Sequence, residues 1–548
     1  MSISGVIKSI QDIMWKDVGL DGDAQRISQL GWMLFLKILD DQEKQFELLN
    51  SKYKSVIPQK YRWRTWAENP EGLTGEDLIE FVNNELFRRL KELPSNGNPE
   101  RTYIVRSVFE DTFNYMKSGT LMRQVINKIN GAIDFKKSED RHILGDIYEQ
   151  ILKDLQSAGN AGEYYTPRPI TQFMVEMIDP QLGEKVFDPA CGTGGFLTCT
   201  IEHVRKEYVR TTKQEDKLQK SIYGVEKKPL PHLLCMTNML LHEVEVPSNI
   251  LHDNTLAKPF SDYKKEDEVD IVLTNPPFGG MEEDGIAGNF PAAYRTKETA
   301  DLFLVLITKI LKEGGRAAIV LPDGSLTGDG LKLRIRQKLL EECNVHTIVR
   351  LPNSVFQPYA SVATNLIFFE KGKPTKEIWY YEHRLPETQK AYSKTRPIQL
   401  KEFEPIRKWW KKRKESEISW KLNIGQKITE AKKEAKQYWE AAINAQSIID
   451  AHKKRITRID DDLKGKEEKQ PLLEERQRLQ SEIGAQEKIV KEQQQNGDSI
   501  YGAAFELDIK NPVAQKESVE YTSKEIIEKL NKSFAKSLEL IEHIKSEL

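Results

Sequence analysis

The sequence has few cysteines and no long apolar run. Its 548 residues include only four cysteines, which stand apart without a Cys-x-x-Cys pair: Cys191, Cys199, Cys235 and Cys343. Isolated thiols of this kind predict neither a disulfide framework nor a zinc site, and they are typical of a reducing compartment. No apolar stretch reaches the roughly 18 residues that a membrane span requires, and the N-terminus lacks a signal-peptide pattern. We therefore expect a soluble, cytoplasmic protein without a bound metal.

An excess of charge of either sign is also missing. The chain has 82 Lys and Arg residues against 84 Asp and Glu residues, for a net charge of −2. A protein that binds nucleic acid without a partner, through contacts to the nucleic-acid phosphates, usually has an excess of basic residues in at least one domain. Local basic patches are compatible with this balance. If the chain acts on nucleic acid, we expect another subunit to supply much of the grip.

Residues 1–135 predict a helical N-terminal domain. An apolar stripe at spacings of three and four consists of Ile27, Leu30, Leu34 and Ile38. The segments Glu76–Leu90 and Leu121–Asn130 have the same character. The aromatic stretch Tyr61–Trp66 favours core anchors of a helical bundle, but its two arginines, Arg62 and Arg64, leave nucleic-acid contact as the alternative.

Residues 140–400 predict an α/β domain. The candidate strands are Lys185–Asp188, Ile222–Glu226, Asp270–Thr274, Arg316–Leu321, Thr347–Leu351 and Thr364–Phe369. Helical stretches lie between several of them, such as Ala300–Leu311, which ends before Gly314-Gly315. This alternation indicates parallel pairing in a doubly wound, Rossmann-like sheet with helices on both faces. The aromatic run Ile378–Tyr381 predicts an additional edge strand.

The pattern becomes helical again beyond residue 405. Two apolar series at helical spacing, Ile428–Leu463 and Leu472–Val490, are separated by Gly465 and Pro471, which predicts an antiparallel helical hairpin or coiled-coil arm over residues 405–500. Residues 501–548 predict an amphipathic helix for subunit assembly, which begins at the capping-box spacing Thr522-x-x-Glu525.

A glycine-rich motif lies between a predicted strand and a predicted helix. It reads Phe187-Asp188-Pro189-Ala190-Cys191-Gly192-Thr193-Gly194-Gly195-Phe196. Glycines at such a turn let a ligand approach the backbone closely. The spacing departs from Gly-x-Gly-x-x-Gly, and the next strand ends at Glu226, further on than the roughly 20 residues of the dinucleotide fingerprint. Glu226 at a strand end can accept both ribose hydroxyls, which NAD and S-adenosylmethionine share.

Two further acidic positions near this motif each allow two interpretations. Asp188 either positions an ammonium group of the ligand or braces the glycine turn. The pair Asp253-Asn254 either caps an adenine ring or forms an Asx-turn.

A stiffened segment lies just upstream of the glycine motif, with the sequence Gly162-Glu163-Tyr164-Tyr165-Thr166-Pro167-Arg168-Pro169. Its prolines restrict the backbone, and its aromatic rings can cover a flat or sulfonium-bearing ligand. Alone it predicts a linker, but its position next to the glycine motif also allows a lid.

The sequence Asn275-Pro276-Pro277-Phe278 follows the apolar strand that ends at Thr274. An adenine amino group is a poor nucleophile because its lone pair is delocalised, so it needs acceptors for its two hydrogens rather than a strong base. The Asn275 side-chain oxygen and the Pro276 carbonyl can accept them, and Phe278 can stack on the base. In a duplex that base must first be flipped out. A plain Pro-Pro turn is the structural alternative.

These three motifs together resemble the modification subunits of type I restriction–modification systems. The resemblance covers residues 1–400 and the terminal helix. It implies an N6-adenine DNA methyltransferase that uses S-adenosylmethionine. It further implies double-stranded DNA as substrate and two such subunits working with one specificity subunit that reads the sequence. A restriction subunit, a nuclease and translocase, would join them. The hairpin at about 425–495 departs from the compact family pattern, and it is either a solvated spacer or a docking arm for the specificity subunit or a neighbouring complex.

The resemblance also implies roles for particular residues. S-adenosylmethionine would be bound by Glu163, Tyr164, Tyr165, Thr166, Pro167, Arg168, Thr193, Gly194, Gly195 and Glu226. The catalytic residues would be Asn275, Pro276, Pro277 and Phe278. Two alternatives stay open at this point. One is methylation of a protein glutamine or of RNA, and the other is a non-catalytic DNA clamp that senses the cofactor.

Overall fold

The computed structural model describes most of the chain: residues 3–95, 98–132, 165–357, 362–393, 395–463 and 470–512, with residues 527, 528, 530, 531 and 534. Several predicted features lie outside the described residues: Gly162, Glu163, Tyr164, Gly465, the capping box Thr522–Glu525 and most of the amphipathic helix predicted to follow it. Within the described part, no helix has both the length and the apolar composition needed to cross a lipid bilayer.

The N-terminal part is helical, as predicted. Its helices are α1 Ile3–Met14, α2 Asp23–Leu49, α3 Trp63–Trp66, α4 Gly75–Glu80, α5 Phe87–Lys91, α6 Pro99–Glu110 and α7 Gly119–Ala132, with a π-helical turn at Phe81–Leu86. The α2 stripe is buried, and so are Trp63 and Trp66. Arg64 forms ion pairs with Asp40 and Glu47, at 2.8 and 2.6 Å. These contacts favour the structural interpretation of the aromatic stretch.

A nine-stranded sheet forms the centre of the second part. Its strands are β1 Val186–Asp188, β2 Ile222–Glu226, β3 Ile250–His252, β4 Val269–Thr274, β5 Leu311–Pro322, β6 Cys343–Leu351, β7 Thr364–Lys371, β8 Ile378–Glu382 and β9 Ser419–Leu422. The order across the sheet is β3-β2-β1-β4-β5-β7-β6-β8-β9. The helices are α8 Arg168–Ile178, α9 Gly195–Tyr208, α10 Thr212–Gln219, α11 Pro229–Leu241, α12 Thr299–Ile310, α13 Asp323–Leu326, α14 Leu331–Glu342 and α15 Glu404–Lys411.

The sheet corrects three predictions. It is mixed, since β7 runs antiparallel to both β5 and β6, and β9 runs antiparallel to β8. The run in β8 is not an edge strand, because the short strand β9, which was not predicted, pairs with its outer side. The helix predicted to reach Leu311 ends at Ile310, and β5 begins there. The strand β3, only three residues long, was also not predicted.

The parallel half of the sheet positions the functional residues. The strands β3, β2, β1 and β4 are paired in parallel, in that order. Their carboxyl ends therefore meet at one edge, and this edge carries Glu226, Asp188 and Thr274. Ligands of open α/β sheets bind at this kind of edge. Helix α11 covers the same half, and Gln42 of α2 donates to the Leu240 carbonyl at 3.0 Å, which joins the N-terminal helices to it.

The C-terminal helices form a long antiparallel hairpin, which we call the arm: α16 Ile424–Asp462 and α17 Gln470–Ala503. Ion pairs such as Arg455–Glu475, at 2.9 Å, connect the two helices. The chain beyond α17 is fixed to the sheet domain, because the Tyr380 hydroxyl donates to the Leu507 carbonyl at 3.1 Å. The arm therefore starts and ends on the sheet domain.

Two glycines of α17 allow a matched test of the arm. A Cβ at Gly497 would lie 2.5 Å from the Trp439 ring nitrogen, whereas nothing lies within 4 Å of a Cβ at Gly484. We expect Gly497→Ala to destabilise the hairpin by about 1–3 kcal/mol through overpacking. Gly484→Ala should stabilise it by about 0.5–1 kcal/mol, because alanine loses less backbone entropy. Amide hydrogen exchange in α16 and α17 measures both effects, and changes of equal sign would contradict this packing.

Candidate active site

The turn that follows β1 is held in shape by its neighbours. The Gly192 N–H donates to Oε2 of Glu226 at 2.9 Å, and the Asn238 side chain donates to the Thr193 carbonyl at 3.0 Å. Gly194 has a φ of +80°, and a Cβ there would lie 2.8 Å from Sγ of Cys235. Only glycine fits this position, because the positive φ disfavours other residues and the nearby Cys235 leaves no room for a Cβ.

Glu226 ends β2 and is 7% exposed. Besides the bond from Gly192, its Oε1 accepts the Lys228 N–H at 2.7 Å. Burial raises the pKa of Glu226, and the bonds from backbone N–H groups partly offset that rise. A carboxylate has about four acceptor positions, so the two oxygens retain capacity for ligand hydroxyls.

Asp188 connects the ends of β1 and β4. It is 1% exposed, and its Oδ1 accepts the Thr274 hydroxyl at 2.6 Å and the Ala190 N–H at 3.1 Å. Burial raises the pKa of Asp188 to about 7, although both hydrogen bonds act in the opposite direction. Asp188 therefore braces the glycine turn, which is one of the two predicted interpretations. A contact with a ligand ammonium group stays a prediction.

The Asn-Pro-Pro-Phe turn follows Thr274 directly. The Asn275 side-chain nitrogen donates to the Thr166 hydroxyl at 3.0 Å. Its Oδ1 is buried, and no described residue hydrogen-bonds to it. The Phe278 ring meets Phe356 edge to face, with ring centroids 5.8 Å apart. The turn thus presents an acceptor oxygen that the protein leaves unsatisfied, which is costly unless a ligand donates to it.

One cavity of about 230 Å³ joins the glycine turn to the Asn-Pro-Pro-Phe turn. Ten predicted residues line it: Thr166, Asp188, Thr193, Gly195, Glu226, Asp253, Asn254, Asn275, Pro277 and Phe278. Tyr165, Pro167, Gly194 and Pro276 are described but are not among its lining residues. Arg168 is also outside the lining, because its guanidinium bonds to Thr198 and Glu202 on α9. The structure therefore brings the two motifs together around one space.

The pair after β3 forms a turn of its own at the cavity wall. Oδ1 of Asn254 accepts the Leu256 N–H at 3.0 Å, as an Asx-turn requires, and its nitrogen lies 3.3 Å from Glu282. Asp253 is exposed at the same wall.

The sequence reasoning missed several lining residues, among them Lys227, Thr255, Met281, Glu282, Thr299 and Phe303. Except for Phe303, which lies inside α12, they lie in or next to irregular connections, where periodicity gives no signal. The hydrogen bond from Thr274 to Asp188 was not predicted, although the position of Thr274 immediately before Asn275 could have marked it as a residue of the site.

This arrangement fits S-adenosylmethionine and an adenine. Glu226 offers acceptors to ribose hydroxyls, Asp188 is a carboxyl group close to the glycine turn, and Asn275 has a free acceptor for an amine. Among the residues that the structure describes, no three His, Cys, Asp or Glu side chains group as a metal site would.

The fold and the site define a methyltransferase with a Rossmann-like sheet. The family described as N-6 DNA Methylase matches residues 139–445, and the HsdM N-terminal domain matches residues 3–129. The chain therefore belongs to the N-6 DNA methylase family, among the methylase subunits of type I restriction enzymes. This membership favours the DNA methylase interpretation over the glutamine and RNA alternatives.

Individual relatives agree with this membership. The methylase subunit of the type I restriction enzyme EcoEI from Escherichia coli is 59% identical over 433 residues, which cover 77% of this chain and 88% of that protein. A modification subunit from Vibrio vulnificus YJ016, assigned to a type I restriction enzyme, is 44% identical. It has a TM-score of 0.70 and covers 77% of this chain and 92% of its own. A chain from a structural study of type I complex assembly is 32% identical, with a TM-score of 0.71 and coverage of 99% and 97%.

The burial of Asp188 has a measurable effect on stability. Its pKa of about 7 in the folded protein exceeds the ordinary value of 3.8, so the folded state holds this proton more tightly. The stability that this proton contributes is complete at low pH, and it is lost as the pH rises from about 4 to 7. Asp188→Asn keeps an oxygen acceptor but cannot ionise. Between pH 5 and pH 8 we expect the variant to gain about 2–3 kcal/mol relative to the unaltered protein.

Urea unfolding of both proteins at the two pH values measures this gain. The other titrating groups are the same in both proteins, so the difference between their changes in stability with pH reports the titration of Asp188. A stability difference that does not change with pH would contradict a buried, protonated Asp188.

Proposed function

We propose that this subunit transfers a methyl group from S-adenosylmethionine to the N6 amino group of an adenine flipped out of double-stranded DNA. The observation that carries the proposal is the buried Oδ1 of Asn275, which has no partner among the described residues and borders the same cavity as Glu226 and Asp188. A buried acceptor without a partner among the described residues can accept a hydrogen bond from a substrate, and an amino group is such a donor.

The cofactor would lie along the ends of β1, β2 and β3. Glu226 would accept its ribose hydroxyls, the turn Thr193–Gly195 would let its methionine part approach the backbone, and Asp188 would receive the ammonium group. Asp253 and Asn254 would border its adenine ring. The segment Glu163–Arg168, of which Thr166 lines the cavity, would contribute to cofactor binding on this side. S-adenosylmethionine supplies, when bound, a methyl group on a positively charged sulfur that leaves as a neutral thioether.

The target base would enter on the side of the Asn-Pro-Pro-Phe turn. Oδ1 of Asn275 and the carbonyl of Pro276 would accept the two N6 hydrogens, which withdraws the nitrogen from conjugation with the ring and directs its lone pair toward the cofactor. Developing positive charge on N6 strengthens both hydrogen bonds, so they stabilise the transition state more than the ground state. Phe278, already held edge to face by Phe356, would stack on the base.

Recognition of the DNA sequence would come from other subunits. The chain has a net charge of −2, whereas a protein that binds DNA alone usually has an excess of positive charge. We infer an assembly of two copies of this chain with one specificity subunit, joined by a restriction subunit for cleavage. The arm would serve as a spacer or as a docking element within that assembly.

Replacement of the acceptor tests the chemistry. We expect Asn275→Ala to lower methyl transfer by about 10²–10³-fold or more, since one preorganised hydrogen-bond group of this kind contributes on that scale. Cofactor affinity should change little. Transfer of radiolabelled methyl groups to DNA by the complex with a specificity subunit measures the first quantity, and calorimetric titration measures the second. Undiminished transfer would exclude the proposed role of Asn275.

Replacement of the ribose acceptor tests the cofactor site. In Glu226→Gln one carboxylate oxygen becomes an NH₂ group, which would face the N–H of Gly192 or of Lys228. We expect S-adenosylmethionine to bind about 10–100-fold more weakly, because a hydrogen bond to a charged group contributes about 1.5–3 kcal/mol. Glu283→Gln is the control, since that carboxylate is exposed beside the cavity without lining it. Equal affinities of the two variants would argue against the proposed cofactor position.

A further inference from the structure

The connection between Phe278 and α12 presents an apolar side chain at the cavity. Met281 lies three residues after Phe278, is 78% exposed and lines the cavity. Other large apolar side chains of the described residues are equally exposed, for example Leu48 and Val18, but none of them lines the cavity. Single exposed apolar residues are common on protein surfaces, so the position of this one is what needs an explanation.

The backbone on both sides of Met281 is fixed. The Gly280 carbonyl accepts the Thr299 N–H at 3.0 Å and the Thr299 hydroxyl at 2.8 Å. The Glu282 N–H donates to the Lys297 carbonyl at 3.0 Å, and Met281 itself forms an antiparallel bridge with Glu298. Met281 thus stands on a short two-stranded ladder at the start of α12, and not on a loose loop.

The direction of the side chain follows from its neighbour. The Glu282 side chain is only 10% exposed, and its carboxylate lies 3.1 Å from Lys227 and 3.3 Å from the Asn254 side chain. Successive side chains in an extended ladder point to opposite sides. Glu282 is anchored toward the protein, whereas Met281 is 78% exposed and extends into solvent where it lines the cavity.

The charges around Met281 are compensated. Glu283 forms an ion pair with Lys227 at 2.9 Å, and Asp284 forms one with Lys297 at 2.6 Å. The charged residues next to Met281 are therefore paired with one another, and the outward feature of residues 281–284 is an unbranched apolar chain. Such a side chain is suited to the faces of stacked bases, and proteins that kink DNA insert methionine among other apolar residues between base steps.

We propose that Met281 inserts into the DNA base stack at the place that the target adenine leaves. This inference rests on the proposed function, because a base that reaches Asn275 has to leave the duplex first and gives up its stacking and pairing. Met281 would occupy the vacated space and so favour the extruded state. It is a positioning residue, since it acts on the flipping step and touches neither the amino group nor the methyl donor.

The test compares paired and unpaired target adenines in the complex with a specificity subunit. With a normally paired adenine, we expect Met281→Ala to reduce kcat/KM for DNA by about tenfold or more. With the same adenine opposite an abasic site, extrusion is already easier, and the variant should recover to within about twofold of the unaltered complex. Met281→Leu should retain most of the activity on both duplexes. Leu48→Ala, at an exposed apolar residue of α2 that does not line the cavity, is the control for loss of an exposed apolar side chain.

A measurement without turnover supports the interpretation. The fluorescence of 2-aminopurine at the target position rises when the base leaves the stack, so the variant should show a smaller rise than the unaltered complex at saturating protein. An equal loss of activity on both duplexes would overturn the proposal, and so would unchanged activity on the paired duplex. Methylation of the paired duplex by the unaltered complex tests the proposed function separately, because it does not depend on the ratio between the two substrates.

Discussion

The hydrogen bond from the Thr274 hydroxyl to Asp188, at 2.6 Å, connects the two halves of the site. Asp188 ends the strand that leads into the glycine turn, and Thr274 immediately precedes Asn275. Because both side chains are buried and both strands belong to one parallel ladder, the distance between the glycine turn and the Asn-Pro-Pro-Phe turn is set by the sheet and not by a flexible loop. Methyl transfer requires the methyl donor and the acceptor nitrogen to be aligned. Holding two reactants in the correct orientation is a large part of how an enzyme can accelerate a reaction between them.

The same edge concentrates negative charge where burial opposes it. Burial raises the pKa of Asp188 and of Glu226, and the two carboxyl groups repel each other, which raises the pKa of Asp188 further. Ionising both carboxyl groups here is unfavourable unless a positive charge lies nearby. A ligand that carries positive charge would reduce this cost on binding, because it would stabilise the ionised forms. Such an arrangement would favour a sulfonium and ammonium compound over an anionic dinucleotide, a distinction that the glycine spacing alone did not make.

The sequence predicted the parts of this protein that depend on local pattern. Strands with long apolar runs, the helical stripe of α2 and the two motifs were all found where expected, since periodicity and turn chemistry determine them. It failed where partners distant in the chain decide. The edge strand β9 exists because it pairs with β8, and Arg168 lies away from the cavity because Glu202 on α9 binds it. Met281 and Glu282 are held at the cavity by backbone hydrogen bonds with residues 297–299, and no local sequence pattern predicts this pairing.

Cofactor binding and DNA binding make opposite electrostatic demands on one surface. A cationic cofactor is held by carboxylates, whereas a DNA backbone is attracted by lysines and arginines and repelled by the same carboxylates. Of the two lysines that line the cavity among the described residues, Lys227 and Lys228, the first is already paired with Glu282 and Glu283, which leaves less cationic charge there for phosphates. A separate subunit that binds the DNA backbone would remove this conflict. The sheet edge could then stay acidic and apolar, while sequence recognition and most of the affinity would lie in that subunit.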